Sequence, residues 1–156
     1  MSVAYAVIRV RGHSKIRSDI EETMRLMHLT RPNHCVVLPE NDTVKGMLQK
    51  AKDYITWGEV DEVTLAKMIK FRGRLEGDKP VDDEIVKAGS KYTSIIALAR
   101  AIKKGEATYS SLKGFKPVFR LSPPRKGYEG NKRSYQNGGA LGYRGKDINE
   151  LIERML

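Results

Sequence analysis

Three short apolar runs alternate with two segments of helical spacing in the first sixty residues, and that order narrows the fold more than any other property of the chain. Tyr5 to Val10 is a β-branched run ended by Gly12, which reads as a strand. Ile16, Ile20, Met24 and Met27 recur at helical spacing, with Leu29 closing the face. Ser18-Asp19-Ile20-Glu21 fits a capping box, although the apolar repeat begins slightly earlier. Cys35 to Leu38, stopped by Pro39, is a second strand. Asn41 or Asp42 can cap a helix through Val44, Met47, Leu48 and Ala51. Tyr54 to Trp57 gives a third strand, ended at Gly58. Residues 1–60 therefore read β-α-β-α-β, an α/β (α+β) core with helices on one face of a small sheet.

Residues 61–112 read as a helical extension packed beside that core. Asp61 can cap a helix carrying Val63, Ala66, Met68 and Ile69, with a turn at Gly73 and Gly77. The acidic triplet Asp82-Asp83-Glu84 suits the positive end of a short helix. Ile95, Leu98, Ala99 and Ile102 make another amphipathic helix, with Lys103 and Lys104 in its last turn and Gly105 beyond. After Gly114 the pattern changes. Phe115 to Leu121 could form one more strand, but Ser122-Pro123-Pro124-Arg125 cannot be helix. A glycine-rich stretch follows, until Asp147 can cap a short helix of Ile148, Leu151, Ile152 and Met155 that returns the chain to the core. Anchored at both ends, residues 113–146 are expected to form a long loop, and a loop of that length in a compact domain is usually functional.

Charge singles out the same segment. Between Arg100 and Lys146 twelve lysines and arginines face only Glu106 and Glu129, a surplus of ten that equals the net charge of the whole chain. Seventeen basic and seventeen acidic residues cancel elsewhere. Cations concentrated in Gly-, Pro- and Tyr-rich sequence repel one another unless a polyanion neutralises them, which points to nucleic acid. A membrane-surface protein would need a basic amphipathic helix instead. No apolar run approaches the roughly 20 residues that span a bilayer, and residues 1–12 do not read as a signal peptide. The lone Cys35 excludes an intrachain disulfide and fits a reducing cytoplasm.

Within the basic loop, Lys113, Lys116, Arg120, Arg125, Lys126, Lys132, Arg133, Arg144 and Lys146 can neutralise phosphates, arginine forks bidentately. Tyr128, Tyr135 and Tyr143 offer flat rings for unpaired bases or sugars. Phe115 and Phe119 fit better as core anchors for the root of the loop. Arg9, Arg11, His13, Lys15 and Arg17 form a smaller patch after the first strand, with His13 open between RNA contact and plain exposure. The glycines from Gly138 to Gly145 lack the Gly-Lys-Ser/Thr of a phosphate-binding loop, and no strand leads into them as a dinucleotide site requires. His28, His34 and Cys35 fall short of any zinc spacing, so neither metal nor cofactor is expected. Trp57 reads as core. No arrangement of catalytic residues is found, so the chain is read as a non-enzymatic protein.

A resemblance sharpens this reading. Tyr5 to Gly12, Asn33-His34-Cys35, Pro39-Glu40 and Gly46-Met47, then Phe115 to Gly127 and Gly138 to Gly142, resemble the large-subunit ribosomal proteins of the L30 family in their archaeal form, whose eukaryotic counterpart is L7. The likeness runs nearly end to end, and its proline-arginine segment is highly specific. Bacterial members stop near the third strand, and eukaryotic members carry a long basic N-terminal extension. The resemblance implies a ferredoxin-like β-α-β-α-β core with a three-stranded antiparallel sheet and added helices. It also implies a structural role on the cytoplasmic ribosome, in contact with large-subunit rRNA, with 5S rRNA and with neighbouring ribosomal proteins. Salt-adapted archaeal relatives tend to be acidic, so the basic balance argues against a halophilic source. The alternative is an RNA or DNA chaperone that binds transiently and does not stay on the ribosome; a nucleotide-dependent enzyme using the glycine loop is a more distant one.

Overall fold

The structure is a computed structural model that describes residues 4–109, 112–130 and 132–156. The chain forms β1 (Ala4–Arg9), α1 (Ser18–Leu26), β2 (His34–Pro39), α2 (Asp42–Ala51), β3 (Ile55–Glu59), α3 (Glu62–Arg72), α4 (Asp83–Gly89), α5 (Ile95–Lys103), β4 (Val118–Arg120), β5 (Gly142–Tyr143) and α6 (Ile148–Met155). The alternation of the first sixty residues is as read, with boundaries shifted by a residue or two. Four helices carry a side-chain cap among the described residues, those at Asn41 and Asp61 as read. Asn41, Asp61, Asp82 and Ser94 each accept a hydrogen bond from the backbone N–H three residues on, at 2.7–3.1 Å.

Two expected caps are not formed. Ser18 is the first residue of α1 rather than its cap, the cap position falls on Arg17, and the Glu21 carboxylate turns to His13 instead. Asp147 makes no cap bond to α6, because its carboxylate accepts from the Tyr135 hydroxyl at 2.6 Å.

The sheet has five strands in the order β4-β2-β1-β3-β5, where three were expected. β1 lies at its centre, antiparallel to both β2 and β3, with Tyr5 opposite Leu38 on one side and Glu59 on the other. The two extra strands come from the basic segment: β4 pairs antiparallel with β2 and β5 pairs parallel with β3. An open sheet edge leaves a row of backbone N–H and C=O groups unpaired, and the basic segment covers part of both edges. It is therefore a strap rather than a structureless loop.

Helices cover both faces of the sheet, not one. All six residues of β1 are buried. Ala4, Ala6 and Ile8 pack with Cys35 and Val37 against α3, α5 and α6 through Leu65, Met68, Leu98, Ile102, Leu151 and Ile152. Tyr5 and Val7 point the other way and pack with Val36, Ile55 and Trp57 against Met24 of α1, Met27 just after it and Leu48 of α2. Successive side chains of a strand alternate between faces, so a run that is apolar at every position needs cover on both sides. Each fully buried aliphatic side chain contributes about 1.5–3 kcal/mol. Phe115 and Phe119 enter the first of these cores, where Tyr109 meets both rings at centroid distances of 5.9 and 4.9 Å. They pin the root of the strap, as expected of them.

Candidate nucleic-acid interface

Glycine decides where the strap can close on the sheet. A Cβ at Gly58, inside β3, would lie 1.8 Å from the Gly145 carbonyl oxygen, so only glycine lets the two backbones pass. From β4 the strap runs along α6, where Ser122 N–H donates to the Met155 carbonyl and Arg125 N–H to that of Arg154. It then crosses the end of β1, where Ala140 and Leu141 cluster with Val10, and reaches β3 as β5. Between Gly130 and Leu141 the backbone bonds to itself, with Ala140 N–H on the Gly130 carbonyl and Leu141 N–H on that of Arg133.

This path brings two basic segments together that are a hundred residues apart in sequence. The Tyr128 hydroxyl donates to Asn33 Oδ1 at 2.6 Å, and Asn33 N–H donates to the Arg9 carbonyl at 2.7 Å. The patch after β1 and the strap thus share one end of the sheet.

The expected contact residues divide by what their charges already touch. Lys113, Lys126, Lys132, Arg133 and Lys146 are exposed, and their side-chain charges have no ion-pair or hydrogen-bond partner among the described residues; that of Lys15 is likewise free. Arg125 is exposed, with its guanidinium donating to the Glu153 carbonyl at 3.1 Å. Lys116 and Arg120 both reach Asp78, at 2.6 and 2.5 Å, and these contacts hold the Asp78 carboxyl below the usual carboxylate range. Arg11 lies over the Tyr54 ring at 4.9 Å, His13 pairs with Glu21 at 3.1 Å, and Arg17 pairs with Asp19 at 2.7 Å.

Three expected contacts are turned inward. Arg9 is only 1% exposed. Its guanidinium donates to the carbonyls of Arg11 and Leu29 at 2.9 Å each, and to that of Gly12 at 3.3 Å. Arg144 is 6% exposed and donates to Thr56 Oγ1 and the Ala140 carbonyl, both at 2.9 Å, with Glu129 at 3.8 Å. Burial lowers both guanidinium pKa values, and hydrogen bonds to fixed oxygens offset that desolvation. Tyr128 has its ring against the core, and burial pushes its hydroxyl pKa up. These three side chains hold the interface in shape and present no free group to a phosphate.

Tyr135 and Tyr143 stay at the surface. The Arg144 guanidinium covers one face of Tyr135 at 4.7 Å. Tyr143 packs on Trp57 at 6.3 Å, and its hydroxyl donates to Glu59 at 2.5 Å, a bond that raises its pKa to about 12.

Sequence reasoning missed two arginines. Arg31 is exposed at the same end of the sheet, and its charge, after burial and beside Arg120 and Arg9, helps push the His34 pKa down. Arg154 on α6 donates to the carbonyls of Arg125 and Gly127 and pairs with Glu129, fastening the strap. Neither stands in the basic run, so composition gave no cue to them. Cys35 is fully buried, with burial raising its thiol pKa to about 12, a small apolar filler without reactivity.

A small α/β sheet covered by helices on both faces, with a cationic strap across one end, is the class of protein that fold and site define. The family model for ribosomal protein L30p/L7e matches residues 5–55, from β1 to the first residue of β3. The rest of the chain is covered by archaeal relatives. The large ribosomal subunit protein uL30 of Methanosphaera stadtmanae is 53% identical over 97% of this chain and 99% of its own length. That of Methanopyrus kandleri is 51% identical over 94% and 100%, and that of Methanocorpusculum labreanum 48% over 97% and 99%. The chain belongs to the ribosomal protein L30p/L7e family, in its archaeal form. It is a structural ribosomal protein and not an enzyme.

Proposed function

We propose that this chain is held in the large subunit of the cytoplasmic ribosome by direct contact with rRNA, 5S rRNA included, and that residues 113–146 form the contact. The observation that carries this reading is the set of unpaired cations on the strap, Lys113, Lys126, Lys132, Arg133 and Lys146, displayed on backbone that is tied down at both sheet edges. Arg125, Arg11, Lys15 and Arg31 extend the surface. Arg17 and His13 at its margin, and Lys116 and Arg120 beside Asp78, can exchange their carboxylate partners for phosphates. A rigid array loses little conformational freedom on binding, and each phosphate it neutralises releases condensed counterions. The helical faces away from the strap are left for neighbouring ribosomal proteins.

The test compares two quadruple alanine variants. Changing Lys113, Lys126, Arg133 and Lys146 should leave the melting transition in place and weaken binding to large-subunit rRNA. The plot of log K against log[salt] should become shallower by about 3, as for four lost phosphate contacts. Changing Lys45, Lys67, Lys70 and Arg100 on the body should leave that slope nearly unaltered. Equal losses from the two variants would show that the charge acts diffusely, and the strap would then not be the contact. Retention of the wild-type chain on the large subunit through a high-salt wash separates stable incorporation from transient binding.

A further inference from the structure

The strap does more than cover the edge of β3. Where β5 meets the end of α2 it leaves a cleft of about 420 Å3, lined by Gln49, Lys52 and Asp53 from the body and by Lys132, Tyr135, Gln136 and Tyr143 from the strap, with Trp57 and Leu141 beneath. That volume lies in the roughly 300–1,000 Å3 range of pockets that enclose small ligands. Its chemistry is mixed in a particular way. Two aromatic rings stand at the surface, Tyr143 at 47% exposure and Tyr135 partly exposed, over a tryptophan floor. Lys52 and Lys132 face the cleft from opposite banks, and neither has a partner among the described residues. The carboxamides of Gln49 and Gln136 are exposed and make no hydrogen bond among those residues.

We propose that this cleft receives a single unpaired nucleotide of the rRNA, its base stacked on Tyr143 and its flanking phosphates on Lys52 and Lys132. The inference rests on the rRNA binding proposed above and adds to it a base-reading site. Phosphate binding alone would need neither rings nor carboxamides. A splayed-out base is recognised by an aromatic platform together with donors and acceptors on its hydrogen-bonding edge. Gln49 and Gln136 supply both kinds of group, and Asp53 supplies an acceptor for a base amino group. The platform is set before binding. The Glu59 bond fixes the Tyr143 ring against Trp57, while Asp147 and Arg144 hold Tyr135 from its hydroxyl and its face. A duplex cannot fill such a site, because its bases stack on one another, so the ligand is an extruded or loop nucleotide.

The experiment is base-specific chemical probing of deproteinised large-subunit rRNA, alone and with the full chain. Dimethyl sulfate, a carbodiimide and kethoxal together report all four bases. Wild type, Tyr143→Leu and Gln136→Ala are compared, with melting curves showing that each is folded; the Gln136 side chain is exposed and makes no hydrogen bond among the described residues, so its loss should leave the fold intact. Wild type should protect one unpaired base that both variants leave reactive, while the other protections remain and affinity falls about tenfold, the scale of one lost stack. Trp57, the only tryptophan, should be quenched by the rRNA in wild type and less so in Tyr143→Leu. If both variants keep every protection, or lose all of them evenly, the cleft reads no base and the inference is overturned with the strap's phosphate role intact. If wild type protects nothing, it is the proposed rRNA binding that fails, and the cleft assignment with it.

Discussion

Body and strap contain the same kinds of charged side chain and put them to opposite uses. On the body Lys45 meets Glu40, Lys67 meets Glu153, Arg25 meets Glu22 and Arg100 meets Glu62. On the strap the one carboxylate, Glu129, is consumed in fastening it by Arg144 and Arg154, and Asp78 of the body is taken by Lys116 and Arg120. The remaining strap cations are left without carboxylates. Exposed ion pairs contribute little to stability, so the pairing on the body is better understood as charge cancelled where no polyanion should bind. Position in sequence does not tell the two uses apart. Arg144 and Lys146 are two residues apart, and one is interior while the other faces solvent.

That adjacency is the sharpest place to break the comparison. Arg144→Met should cost about 2–6 kcal/mol, because the Thr56 hydroxyl and the Ala140 carbonyl each lose their charged donor and are left unsatisfied at about 1–3 kcal/mol apiece, read as a lowered urea midpoint. Lys146→Met should leave the midpoint unmoved and weaken rRNA binding. If both behave alike, the division between holding and binding charges is wrong. Gly58→Ala should come next, at about 1–3 kcal/mol for overpacking, because the new methyl meets the Gly145 carbonyl. Amide exchange should then quicken first at Gly142 to Gly145 and leave the β1–β2 pairing protected. Asp78→Asn is smaller still. It should leave the melting transition essentially in place yet free Lys116 and Arg120, so rRNA binding should strengthen and its salt slope steepen.

The smallest effect is a titration. With its pKa raised to about 12, Tyr143 gives support that is fully present below pH 10. That support is lost as pH rises through the folded-state value, since the folded state holds the proton more tightly. Tyrosinate absorbance should lose one ring titrating at about 12 in Tyr143→Phe, while Tyr109 and Tyr128, which burial pushes up, stay late-titrating.

The legible part of the fold was the part written in local pattern. The apolar positions of β1 at both parities already require two covering layers, although the strand-helix alternation alone was read as a one-faced sheet. The caps at Asn41 and Asp61 follow from single residues. β4 lies within Phe115 to Leu121, already legible as a possible strand, but its place in the sheet and the whole of β5 were hidden, because strands of three and two residues carry no periodicity and pair with partners more than eighty residues away in chain order. At the interface, charge density singled out the segment. It could not show that Arg9 and Arg144 are interior, since their acceptors are mostly backbone carbonyls, which every sequence possesses everywhere. Asp147 illustrates the same limit, a sound cap residue taken instead by a tyrosine that the strap delivers to it.

Closure of the sheet by its last residues also fixes an order of events in synthesis. Strands β1 to β3 and helices α1 and α2 can associate as soon as sixty residues have emerged, since their contacts are close in sequence. The lateral bonds at β3 and the cover given by α6 wait for residues 142–155, and contacts of such separation form late. Until then the nascent chain shows an apolar face that α3 and α5 cover only in part and an open edge at β3, the features that invite association with other chains. The interval between the sixtieth residue and the last is the chain's period of greatest exposure to aggregation, and it ends only when the cationic strap is drawn across.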